Sequence, residues 1–116
     1  MESMEYTLKV RDFTVLDIAV SSDEGDKINA AIVDAFKNNV DILNLDFEEI
    51  KVLNTAFLNA AIGQLYAIYD SDFLNKHLKI TNIKENDLLY LKKAISTAKE
   101  YFSNPDLFDE SAQSVF

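Results

Sequence analysis

The sequence predicts an α/β domain, and three observations predict it. Residues 5–10 alternate apolar with polar side chains, as a half-buried strand does. Apolar residues then recur at helical spacing in three separate segments. From residue 21 onward strand-like and helix-like segments take turns, giving the order β-β-α-β-α-β-α. Such alternation implies parallel pairing after an initial antiparallel hairpin, and hence a mixed sheet of about four strands with helices packed against it.

Taken in order, "EYTLKV" (5–10) and "FTVLDIAV" (13–20) are the first two strands, with Arg11 and Asp12 between them as a tight connection. Ser21 and Glu24 have the spacing of a capping box. Ile28, Ile32, Ala35 and Phe36 follow on one helical face, so a helix runs from about Asp23 to Asn38. Gly25 falls in its first turn, where glycine costs about 1 kcal/mol against alanine. Either that turn is loose or another backbone or a ligand comes close there.

"VDILNLDF" (40–47) is apolar on both parities, which predicts a central strand covered on both faces. "EEIKV" (48–52) reads as a connection. A second helix follows over Thr55–Tyr69, with Phe57, Leu58, Ala61, Ile62 and Leu65 on its apolar face, and "DSD" (70–72) ends it. "HLKITNI" (77–83) is the last strand. Asn82 and Glu85 repeat the capping spacing before a helix marked by Leu88, Leu91, Ile95, Ala98 and Phe102. Pro105 stops it. The domain therefore spans residues 1–103, and 104–116 form a C-terminal tail that is polar apart from Leu107, Phe108, Val115 and Phe116.

Composition narrows the function classes. The chain has 116 residues, no cysteine, two glycines and one histidine. No disulfide or thiolate chemistry is open to it, and neither a P-loop nor a G-x-G-x-x-G turn can be written. His77 has no second histidine or cysteine to ligate with, and it reads as an exposed residue at the start of a strand. The net charge of −9 repels phosphate backbones and anionic membrane surfaces, so neither nucleic acid nor membrane is an expected partner. The opening "MESMEYTLKV" lacks the pattern of a signal peptide, and no apolar run approaches a membrane span, so the expected location is the cytoplasm. No cofactor is implied.

Two stretches carry candidate chemistry. Asp46, Glu48 and Glu49 sit near the end of the central strand, where α/β folds place their sites. They are either solvated loop charge or oxygen ligands for a divalent ion in a small hydrolase or phosphotransfer domain. In "LNTAF" (53–57), Asn54 is a favoured N-cap and Thr55 is then the first helical residue. The same geometry suits a plain cap or a phosphate acceptor, since unpaired N–H groups and the helix dipole favour negative charge there.

The block "ILNLDFEEIKVLNTAFLNAAIGQLY", followed by "LKITNIKENDLLYLKKAI", resembles the bacterial STAS-like domains related to anti-sigma-factor antagonists. The likeness covers about residues 21–100 and rests on the order and spacing of "LDF", "TAFLNAAIG" and "LKITN". In STAS domains the turn before the equivalent helix reads D-S-x-G, and a histidine-kinase-like ATPase phosphorylates its serine, which releases the partner. Asn54 falls at the aspartate, Thr55 at the serine, Ala56 at the variable position and Phe57 at the glycine. Thr55 keeps the hydroxyl, Asn54 lacks the charge and Phe57 lacks the small side. The resemblance thus implies a non-enzymatic regulatory module. Its contact surface would comprise Asn54, Thr55 and Phe57 with Glu48, Glu49 and Lys51, and Thr55 would be the phosphoacceptor.

Overall fold

A computed structural model describes residues 4–103. The expectation for the tail therefore lies outside the described residues. Nine regular elements follow one another: β1 (Glu5–Lys9), β2 (Ile18–Ala19), α1 (Ser22–Lys37), β3 (Ile42–Asp46), β4 (Val52–Leu53), α2 (Thr55–Ala61), α3 (Ser71–His77), β5 (Leu78–Thr81) and α4 (Glu85–Ser103). Tight 310 turns occupy Val10–Phe13 and Gly63–Ala67.

The strands form a three-stranded sheet in the order β1–β3–β5 and a two-stranded ladder of β2 with β4. Every strand pair in them is parallel. The expected antiparallel hairpin, and with it the mixed sheet, is corrected. Arg11 and Asp12 belong to the 310 turn after β1 rather than to a hairpin. The Thr14 hydroxyl donates to the Leu16 carbonyl oxygen, and Arg11 Nη1 donates to the Thr14 carbonyl oxygen at 3.4 Å, which closes this turn. The chain then leaves the edge of β1 and pairs with Val52–Leu53, a strand hidden in the expected connection.

β3 is central, as its apolar content predicts, but among the described residues the sheet is covered on one face only. Register places Tyr6 and Leu8 beside Leu43 and Leu45, and these beside Leu78 and Ile80. That face carries the core, in which Leu43 and Leu45 meet Ile28, Ile32, Phe57, Leu58, Ile62 and Leu65, all buried. The opposite face bears Glu5, Thr7, Lys9, Ile42, Asn44, Lys79 and Thr81, and Asn44 Nδ2 donates to Glu5 Oε2 across it at 2.9 Å. Period-two alternation explains the division, and Ile42 is the one apolar side chain on the polar side.

α1 begins as expected: Ser21 Oγ accepts from Glu24 N at 3.3 Å. The Glu24 carboxylate does not reach back to close the box. It accepts from Val15 N at 3.1 Å and pins the β1–β2 connection instead. The second predicted helix is broken. α2 has seven residues, Gly63 opens a 310 turn, and Asp70 starts α3 by accepting from Phe73 N at 2.8 Å. "DSD" thus ends one segment by capping the next. His77 ends α3 rather than opening a strand and is only partly exposed. Its Nδ1 lies 2.7 Å from the Asp41 carbonyl oxygen, which can only accept, so Nδ1 carries the proton. Its ring packs on Phe73, which stacks on Tyr69 and meets Phe36 edge to face.

Asn39, Glu49 and Asn82 adopt left-handed conformations, with φ of 67°, 69° and 57°. They follow α1, β3 and β5. Asn82 is therefore not the cap of α4.

Candidate partner-binding site

The short ladder sets the geometry. Ala19 and Leu53 point inward and are buried; β4 then passes directly, and β2 through Val20, to the residue that starts a helix. Ser21 caps α1 and Asn54 caps α2. Asn54 Oδ1 accepts from Phe57 N at 2.9 Å, while its Nδ2 donates to the Val20 carbonyl oxygen at 3.4 Å. One amide side chain therefore satisfies a first-turn N–H and ties the two helix starts together.

Thr55 is the first residue of α2 and is half-buried. Its hydroxyl forms no hydrogen bond among the described residues. α2 spans two turns, so any dipole contribution at Thr55 comes from a short helix. Phe57, expected on the contact surface, is corrected: it is fully buried, because it lies on the apolar stripe with Leu58 and Ala61.

The loop before β4 is built from polar ties. Asp46 is buried, and its Oδ1 accepts from Glu48 N at 2.9 Å and from Asn82 Nδ2 at 2.8 Å. Glu48 and Glu49 are exposed. Lys51 N donates to the Asp17 carbonyl oxygen at 2.8 Å, Lys51 Nζ pairs with the Asp17 carboxylate at 3.5 Å, and Lys84 Nζ donates to the Lys51 carbonyl oxygen at 3.2 Å. No group of three or more His, Cys, Asp or Glu side chains among the described residues could hold a metal ion. His77 lies near Asp41, at the other end of β3, roughly 15 Å along the strand from Asp46.

The outward side of the ladder carries a feature that motif reading missed. Ile18 and Val52 are paired and exposed, and Val20, Leu16 and Val15 beside them are exposed as well, Val15 at 83%. The ladder is apolar on both sides. The signal lay in "FTVLDIAV", which is apolar on both parities without being central.

A family model described as a STAS-like domain of unknown function matches residues 24–88, more than half of the chain. The chain belongs to this STAS-like family. The match takes in most of α1 and all of β3, β4, α2, α3 and β5, and so covers the start of α2 and the loop before it, while β2 lies outside it. No curated protein and no solved structure matches the chain. No helix among the described residues of this STAS-like domain is long and apolar enough to cross a membrane.

Proposed function

We propose that this STAS-like domain is a non-enzymatic regulatory module that binds a protein partner through the start of α2 and the loop before it. The partner class is a histidine-kinase-like ATPase, and Thr55 is the residue whose phosphorylation releases it. The observation that carries this reading is the exposed apolar group of Ile18, Val20 and Val52 beside Asn54 and Thr55. Apolar surface in contact with polar switch residues is what a protein interface needs, with a dry centre and a polar rim. Asn54, Thr55, Glu48, Glu49 and Lys51 form that rim, with Phe57 beneath it as core. A charge added at Thr55 would stand on the rim against this centre and oppose its desolvation.

The alternative, a divalent-metal hydrolase or phosphotransfer domain built on Asp46, Glu48 and Glu49, has no observation in its favour. Asp46 Oδ1 is already held by a backbone amide and by Asn82, and among the described residues Asp46, Glu48 and Glu49 do not come together as a group that could hold a metal ion. The test is native co-purification with mass spectrometry, comparing the wild type with the Ile18→Asp/Val52→Asp variant. An ATPase retained by the wild type and lost by a variant of unchanged melting temperature supports the reading. So does ATP-dependent phosphate mapped to Thr55. Phosphate confined to other residues overturns the switch at Thr55, and an ATPase retained equally by both proteins overturns the surface.

A further inference from the structure

β1 is an end strand of its sheet, and every residue in it except Leu8 is exposed. The Met4 carbonyl oxygen accepts from Ile42 N at 3.1 Å. In a parallel ladder alternate residues turn their backbone groups to the neighbouring strand, so Tyr6 and Leu8 bond toward β3. The N–H and C=O groups of Glu5, Thr7 and Lys9 consequently face outward. Among the described residues no other strand pairs with this edge, and an edge with unpaired backbone groups is a template for another strand. Beside it, between β1 and α1, lies a hollow of about 390 Å³ lined by Tyr6, Leu8, Phe13, Ala31, Ala35 and Val40, with Asp34 as its charged member.

We propose that β1 pairs antiparallel with β1 of a second copy of this chain, about a two-fold axis at Thr7, joining two three-stranded sheets into one of six. The sequence "EYTLK" is complementary to itself in that register. Thr7 faces Thr7 of the other copy, Glu5 faces Lys9, and Tyr6 faces Leu8. Each is a favourable cross-strand pair, whereas like charges would meet if the strands were parallel and in register. The residues whose backbone groups face outward are the ones this register bonds: Thr7 with Thr7, and Glu5 with Lys9 on either side. Tyr6 and Leu8 of the second copy lie on the helix-covered side and would close the hollow. Such an interface is isologous and closed, so pairing stops at two copies. It lies on an edge apart from the surface given to the ATPase and does not depend on that reading.

Light scattering across a concentration series at physiological salt tests this, with amide hydrogen exchange at Thr7. The expected result is a concentration-dependent dimer in which the Thr7 amide is protected. Thr7→Pro removes an outward donor without touching the ladder to β3, so it should give a monomer with an unchanged circular dichroism spectrum. Glu5→Lys or Lys9→Glu alone should weaken dimerisation by about tenfold, because each reverses two symmetry-related pairs, and the double exchange should restore it. A monomer at every concentration overturns the proposal. So does a dimer indifferent to both the charge exchange and Thr7→Pro, which would lie on another surface.

Discussion

A Cβ placed on Gly25 would stand 2.7 Å from the carbonyl oxygen of Phe57 and 2.8 Å from the Ala60 Cβ. The glycine in the first turn of α1 is therefore there for close approach, and the backbone that approaches is α2. Gly25→Ala would gain about 1 kcal/mol in helix propensity. It would also force two backbones apart, and overpacking of this kind costs about 1–3 kcal/mol. Net destabilisation is expected, read as a lower melting temperature. An increase would mean that α2 shifts without penalty.

Asn54→Ala removes the cap of α2 and the tie to Val20 together, so stability should fall by ~0.5–2 kcal/mol in a denaturant titration. Thr55→Ala should change stability little, because its hydroxyl bonds nothing among the described residues. Thr55→Glu should also leave the fold intact and yet weaken partner binding. If all three variants bind alike while only Asn54→Ala melts early, the pair is a plain helix cap.

Leu45→Asp should unfold the domain, since an unpaired buried charge costs several kcal/mol against a total of ~5–15 kcal/mol. Ile42→Asp, three residues earlier on the polar side of the same strand, should melt only modestly below wild type. Equal loss in both variants would mean that the polar face is covered in solution.

Asp46→Ala strips an acceptor from the Glu48 amide and from Asn82, so it should destabilise by about 1–3 kcal/mol. Magnesium, manganese or zinc should leave the melting temperature of the wild type unchanged. Micromolar binding abolished by Asp46→Asn would instead promote the metal-dependent reading.

Local chemistry was legible in the sequence. Ser21 and Asn54 announce helix starts because a cap is decided within four residues, and β3 stands out by its apolar content. Pairing was not legible. Tyr6 meets Leu43, and nothing near Tyr6 distinguishes that neighbour from a hairpin partner. β4 is two residues long and α3 seven, below the length at which periodicity separates from noise. At the site, two lines of reasoning disagreed over Phe57. Its helical stripe placed it in the core and family analogy placed it on the surface, and its complete burial follows the stripe.

The left-handed residues bear on the unfolded chain as much as on the folded one. Asn39, Glu49 and Asn82 hold conformations usually left to glycine. At Glu49, which lacks the short side chain that eases this geometry, the strain is about 1–2 kcal/mol. A glycine there would relieve it, but would also widen the ensemble from which the chain must fold, by about 0.4–1 kcal/mol of entropy. Glu49→Gly should therefore stabilise by less than the strain alone suggests. In equilibrium unfolding, a gain equal to the full strain would mean that the denatured chain is already restricted at this loop. With two glycines in 116 residues, this chain keeps its unfolded state narrow and accepts local strain in the native one.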